Sequence, residues 1–216
     1  MHAEAIIFDM DGTLMETEEQ WDVVRRGLAA DAGLPWPESA TQAMMGMSTP
    51  EWSAYLVSAV GLPMTPAEAA EATIDAMAEH HRAGVELLPG AIEAVRRMAG
   101  THIVGIASSS PRRLIDAGVE AMGIGDLLAA TVSTEEVAAG KPAPDGFLRA
   151  ARLLGVDPAV CVAVEDSTNG VLSALAAGMA VVCVPPAFHP PSEDVLARTT
   201  VLDSLDGLTL ELIASI

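Results

Sequence analysis

The chain is predicted to fold as an α/β protein built on a doubly wound, mostly parallel sheet with an all-helical segment inserted after the first strand. Three observations predict this. Four short apolar runs rich in β-branched residues recur, at 5–8, 103–107, 160–164 and 181–184. Each is continuously apolar rather than alternating, as in parallel strands covered by helices on both faces. Helical patterns follow three of them, at 112–122, 170–177 and 193–197, and that alternation is the pattern of a doubly wound sheet. Finally, the stretch from Thr17 to about Gly84 contains no strand-like run.

Taken in order, the first strand leads into that stretch, which reads as four helices at 18–32, 38–45, 50–60 and 66–82. The breaks fall at Gly33-Leu34-Pro35, at 46–49 and at Gly61-Leu62-Pro63, where Gly and Pro interrupt the period. The expected division is a Rossmann-like core domain at 1–16 and 85–216 with a helical domain at 17–84. Its connections, near 16–18 and 83–88, would act as hinges, and Pro89-Gly90 marks re-entry to the core. At 216 residues the chain is long enough for one such core with a smaller insert.

Composition narrows the function. Half the residues are hydrophobic and 19% are charged, the profile of a folded protein. A formal net charge of −19 with no Lys/Arg cluster argues against nucleic acid or an anionic membrane as partner. An anionic substrate must then be drawn in locally, by a metal ion or helix N-termini. Cys161 and Cys183 each lie in an apolar run and read as buried free thiols, a disulfide being the alternative if their strands are neighbours. The N-terminus reaches Asp9 and Asp11 too soon for a signal peptide, and no apolar run approaches about 18 residues, so a cytoplasmic protein is expected. Nothing in the sequence fixes the oligomeric state; a monomer is the default expectation.

The chemistry-bearing residues fall at strand ends. The first strand closes in Asp9-Met10-Asp11-Gly12-Thr13, two carboxylates one residue apart where open α/β sheets place ligands. An Asp-Gly pair also suits a plain turn. The second strand ends in Ala107-Ser108-Ser109-Ser110-Pro111. Ser110 and Pro111 suit the N-cap and first position of a helix, while free N–H groups there, with the Ser108 hydroxyl, would suit a phosphate. Lys141 sits in Gly140-Lys141-Pro142-Ala143-Pro144, either simply solvated or held as a fixed cation by the prolines. The third strand runs into Glu165-Asp166-Ser167 and then Asn169-Gly170. These acids could merely begin a helix, or join Asp9 and Asp11 as the hard oxygen ligands that Mg²⁺ requires.

In these residues the sequence resembles the haloacid dehalogenase superfamily, in particular its β-phosphoglucomutase-like phosphatase branch with a helical cap after the first strand. The motifs that carry the resemblance are Asp9-Met10-Asp11-Gly12-Thr13-Leu14, Ser108, Lys141, and Glu165-Asp166 with Ser167-Thr168-Asn169-Gly170. The resemblance implies that Asp9 is a nucleophile toward phosphorus and Asp11 the acid and base. Ser108, with Ser109 beside it, and Lys141 would bind the phosphoryl group. Mg²⁺ would be held by Asp9, by the backbone carbonyl of Asp11 and by Asp166, with Glu165 close behind. The implied substrate is a small phosphorylated metabolite, such as a sugar phosphate or phosphoglycolate. Three positions depart from the pattern: Glu16 for a frequent Asp, Trp21 where relatives often carry His, and Thr49 where the mutase carries an arginine for a second phosphate. Trp21 could pack or touch substrate. The nearest cations on the helical segment are Arg25, Arg26 and Arg82. The competing readings are a phosphosugar mutase, which the Thr49 departure disfavours, and a phosphate- or metal-binding regulatory protein, whose expected mark is loss of Asp9, Asp11 or Lys141. All three are present. Dehalogenation is disfavoured, because carbon–halogen hydrolysis has no use for the acid Asp11 supplies.

Overall fold

A computed structural model of the chain describes residues 3–44, 47, 49–187 and 190–216, the side chain of Glu18 excepted. Six strands form one sheet: β1 (Ala5–Phe8), β4 (Ile103–Ser108), β5 (Ala130–Ser133), β6 (Cys161–Glu165), β7 (Ala180–Cys183) and β8 (Thr200–Val201). Their order is β5-β4-β1-β6-β7-β8 and every pairing is parallel. Four of the six, β1, β4, β6 and β7, match the expected apolar runs. Strand β5 gives no strand signal because Ala-Thr-Val-Ser is half polar and lies at the sheet edge, and β8 gives none because it is two residues long. The expected strand at 160–164 begins and ends one residue later.

Side chains of β1 alternate between two cores, as a strand's period of two requires. Ile6 and Phe8 face helices α5 (Ala91–Ala99), α6 (Arg112–Met122) and α10 (Leu210–Ser215) through Val95, Met98, Ile115 and Ile213. Ala5 and Ile7 face α7 (Asp145–Leu154) and α8 (Thr168–Ala176) through Phe147, Ala151, Val171 and Ala174. Helices on both sides explain the continuous apolar runs. Burying each of the larger of these side chains contributes about 1.5–3 kcal/mol. Helices α5, α7 and α10 were not anticipated, although α5 and α7 carry clean i, i+3, i+4, i+7 stripes, Ala91-Ala94-Val95-Met98 and Phe147-Ala150-Ala151-Leu154. The predicted helices at 170–177 and 193–197 are α8 and α9 (Glu193–Leu196).

The stretch at 17–84 is helical among the described residues, as expected: α1 (Glu18–Asp31), α2 (Ala40–Met44), α3 (Thr49–Tyr55) and α4 (Pro66–Ala83). The single helix expected at 50–60 instead changes to a π-helical turn over Leu56–Val60, closed by left-handed Gly61. Of the expected break at 46–49, Gly46 and Ser48 lie outside the described residues, as does Met45. Trp52, Leu56, Leu62 and Ala69 give this segment its own apolar centre. Helix α4 starts on a capping box in which Thr65 and Glu68 bond reciprocally, with Pro66 at the first position. Its far half docks on α6, where Ile74, Met77 and Ala78 meet Leu114 and Ala117. Two short strands, β2 (Met15–Glu16) and β3 (Glu86–Leu87), pair antiparallel where the chain leaves and re-enters the core. Both cysteines are free and buried, which removes the disulfide alternative. Among the described residues, no helix is long and apolar enough to cross a membrane.

Candidate active site

The strand order places β1 at the centre, with β4 and β5 on one side and β6 to β8 on the other. The chain therefore reverses direction around β1, and the crevice outside the carboxyl ends there is where open sheets accept ligands. Asp9 continues the ladder by donating its N–H to the Val164 carbonyl at 2.9 Å, which fixes its side chain at the rim. The following residues turn sharply, with Gly12 at φ +85° and its N–H bonded to the Met15 carbonyl at 2.8 Å. A β-carbon on Gly12 would stand 2.4 Å from Asp166 Oδ2, so the turn needs glycine for its backbone and for the approach of the β6 loop.

That approach assembles an acidic cluster. Oxygen atoms of Asp9, Glu165 and Asp166 lie within 4.8 Å of one another. Lys141, whose side chain is only 7% exposed, bonds Asp9 Oδ1 and also Glu165 Oε1 at 2.6 Å, with the Phe147 ring 5.1 Å from its ammonium. It is therefore a fixed, buried cation and not a solvated one. The other oxygen of Glu165 accepts from the backbone N–H groups of Asp166 and Ser167 at 3.1 and 3.3 Å, and from the Ser167 hydroxyl at 3.1 Å. Helix α8 rests directly over it: a β-carbon on Gly170 would fall 1.9 Å from the Glu165 carboxyl carbon.

Three carboxylates share one ammonium, and their protonation reflects it. Burial holds the Asp9 pKa well above the usual carboxylate range, with Glu165 and Asp166 adding to the rise and Lys141 opposing it. Burial, followed by the Glu165 charge, lifts Asp166 to about 7. Burial works to lower the Lys141 pKa, but the Asp9 and Glu165 carboxylates outweigh it and hold it above its ordinary value. The cluster is short of positive charge, and its donors are hard oxygens suited to a divalent cation of the Mg²⁺ type.

Asp11 lies apart from this cluster, in a nest of hydroxyls. Its Oδ1 accepts from Thr17 at 3.1 Å, and its Oδ2 accepts from Ser108 at 3.2 Å and Ser110 at 2.7 Å. The Ser108 hydroxyl in turn accepts from the Ser110 N–H at 3.0 Å. Helix α6 covers 112–122 as expected, but Pro111, extended at φ −53° and ψ 148°, is its N-cap rather than its first residue. Ser110 is thus not its N-cap, and its hydroxyl is committed to Asp11 instead. The Ser109 side chain is exposed, and its carbonyl accepts from Thr134 at 3.1 Å.

Thr17 and His81 carry no expected role in the sequence, and Ser110 is expected there only as a helix cap. Thr17 and Ser110 could have been suspected from their closeness to Asp11 and Ser108. His81 carried no local signal. It is fully buried on α4, with Nδ1 3.4 Å from the Leu114 carbonyl and Nε2 lacking a hydrogen-bond partner among the described residues. Burial lowers its pKa against the pull of Asp11. Trp21 packs: its ring lies 5.8 Å from that of Trp52 and joins the contact of α1 and α4 with α6.

Comparison with known proteins gives this geometry its context. A family model for haloacid dehalogenase-like hydrolases matches residues 3–178. The protein CbbY of Rhodobacter capsulatus is 36% identical over 196 residues, covering 86% of each chain. Hexitol phosphatase B of Escherichia coli O157:H7 is 32% identical over 212 residues, covering 95% of this chain and 94% of its own. Among solved structures, CbbY of Rhodobacter sphaeroides in complex with phosphate superimposes with a TM-score of 0.86 at 26% identity, over 99% of this chain and 100% of the other.

Proposed function

The chain belongs to the haloacid dehalogenase-like hydrolases, and from that premise we propose that it is a phosphomonoesterase for a small phosphorylated metabolite, working through a covalent phosphate on Asp9. The observation that carries this is the pairing of Asp9 with Lys141 at the rim of β1, beside a second aspartate held separately by three hydroxyls. A nucleophilic carboxylate must approach a phosphate dianion, and a fixed ammonium on its flank offsets the repulsion. An Asp9 oxygen attacks phosphorus and the bond to the leaving oxygen breaks, while protonated Asp11 gives that oxygen its proton. Asp11 then takes a proton from the water that attacks the aspartyl phosphate, releasing inorganic phosphate and restoring Asp9. Ser108 and Lys141 hold non-bridging phosphoryl oxygens, with Ser109 flanking the loop.

Asp9, Glu165, Asp166 and the backbone of Asp11 fit a magnesium ion by their hard oxygen donors and by the excess of carboxylates over ammonium. When bound, that ion neutralises phosphoryl charge in the transition state. Glu165 chiefly orients Lys141, since both its oxygens are already taken by protein donors. The substrate reading, a sugar phosphate or similar metabolite, draws on the hexitol phosphatase relative. The residues at 17–84 serve as the cap domain over this site and choose the leaving group.

The test is release of inorganic phosphate by the purified protein from a panel of phosphorylated metabolites with Mg²⁺, and from β-glucose 1-phosphate with a trace of the bisphosphate. Phosphate release from at least one panel member is expected. Stoichiometric glucose 6-phosphate without phosphate would assign a mutase instead, and no turnover of any phosphomonoester would overturn the reading.

A further inference from the structure

The helical segment holds a cation that the phosphoryl chemistry does not use. Arg25 lies on α1 eight residues beyond Thr17 and four beyond Trp21, so the three share one helix face. Its guanidinium carbon is 4.8 Å from the Trp21 ring centroid and 4.9 Å from that of Trp52. The neighbouring Arg26 is satisfied in the ordinary way, by Asp22 at 2.5 Å, and the other Asp22 oxygen takes the Thr41 hydroxyl. Arg25 differs. Its Nε is buried with no hydrogen-bond partner among the described residues, and burial pulls its pKa down to about 10, with the Asp22 charge only partly opposing.

The direction in which Arg25 reaches matters as much as its isolation. Side chains on a helix lean toward its N-terminus, and the N-terminus of α1 follows Thr17, whose hydroxyl bonds Asp11. At 1.5 Å per residue the guanidinium therefore lies about 6–12 Å along the axis from Thr17, within reach of the far end of a small phosphomonoester. Trp52, the other wall of the clamp, is three residues from Thr49 on α3. A guanidinium stacked on indoles can still hydrogen-bond through its planar edge, and such an edge matches a carboxylate or phosphate bidentately.

We propose that Arg25, clamped between Trp21 and Trp52, selects the leaving group, and that preferred substrates are phosphomonoesters whose leaving group carries a second anionic oxygen group. This rests on the phosphohydrolase reading of the Asp9 site. A neutral polyol could accept one hydrogen bond there but would leave the charge uncompensated, whereas an anion offsets the charge of the desolvated guanidinium.

The test uses matched pairs that separate the two sources of anion: 3-phosphoglycerate against glycerol 3-phosphate for a carboxylate, and fructose 1,6-bisphosphate against fructose 6-phosphate for a phosphate. For each pair the ratio of kcat/KM values, charged over neutral, is measured in the native enzyme and in Arg25→Met, which keeps the aliphatic bulk between the indoles. The ratio should exceed one for at least one pair in the native enzyme and fall by about 30-fold or more in Arg25→Met, the effect of removing one partner of a desolvated charge pair. Arg25→Lys should fall between them. Dissociation constants for the same compounds, taken with Mg²⁺ in the Asp9→Asn background, read the preference without turnover. A preference in binding that Arg25→Met removes would uphold the inference even if no phosphate were released, and in that event only the hydrolase reading would fail. An unchanged ratio in a variant with native melting temperature and native tryptophan near-ultraviolet dichroism, or no preference by either measure, would overturn it.

Discussion

Replacing Lys141 by Met tests the electrostatic structure of the site directly. The side chain is 7% exposed and is the cation bonded to Asp9 and Glu165, themselves buried. Removing one partner of a buried pair leaves an uncompensated charge and typically costs about 3–5 kcal/mol. In a chain of this size each kcal/mol lowers the melting temperature by about 2–4 °C, so the expected fall is about 6–20 °C near pH 8. The loss should depend on pH in a defined direction. Burial already raises the Asp9 pKa and Lys141 opposes the rise, so the variant raises it further. A carboxyl whose folded pKa exceeds its unfolded value near 3.9 favours the folded state most below that value and loses the contribution as pH climbs through the folded pKa. The Lys141→Met penalty should therefore grow from pH 5 to pH 8. Urea denaturation of both proteins in EDTA at several pH values measures it. A penalty under about 1 kcal/mol at pH 8, or one independent of pH, would refute the account of Lys141 as the buried counter-charge.

Asp9→Asn should abolish turnover, because the amide lacks an anionic oxygen to attack phosphorus, while the melting temperature stays near or above native; more than trace phosphate release by the variant would exclude the covalent route. EDTA should stop activity and Mg²⁺ restore it, whereas Ca²⁺ should inhibit because it accepts looser, higher coordination; full activity in excess chelator would remove the metal from the reading. Burial pushes the Cys161 and Cys183 thiols up to about 11 and about 12. The stability they confer is complete below the unfolded value near 8.5 and is lost above it, at up to about 1.4 kcal/mol per pH unit per thiol. Cys183→Ala should flatten that alkaline decline in urea melts from pH 8 to 10.5, and an unaltered slope would refute the assignment.

The parallel sheet was legible because burial on both faces demands runs that stay apolar, and β1, β4, β6 and β7 have them. Where burial is partial, the signal fades. Strand β5 contains Thr131 and Ser133 and takes its conformation from pairing with β4, and β8 from pairing with β7. One helix cap differs for a local reason: Pro111 takes an extended backbone and is itself the N-cap of α6, which leaves Ser110 for Asp11. The break in the helix at Leu56 has no counterpart in its sequence, Leu-Val-Ser-Ala-Val, and we have no physical account of it.

The site divides along the same line. Residues that act where they stand in the chain could be read from it: Asp9 ends a buried strand, and Glu165-Asp166 ends the strand beside it. Residues whose state is set by another element could not. Lys141 reads equally as solvated or as a fixed cation until Asp9, Glu165 and Phe147 close on it from three elements. Arg25 and Arg26 are adjacent and chemically identical in sequence, yet Asp22 lies within reach of one, while indoles from α1 and α3 enclose the other. His81 is distinguished from His80 only by the face of α4 that meets α6. In each case the decisive quantity is desolvation, matched by carboxylates at Lys141 and left without a hydrogen-bond partner among the described residues at Arg25 Nε and His81 Nε2, a property of the packed molecule that no spacing rule encodes. Such groups are therefore where the structure adds most to the sequence, and at Arg25 the addition is a preference in the leaving group that the phosphoryl motifs do not specify.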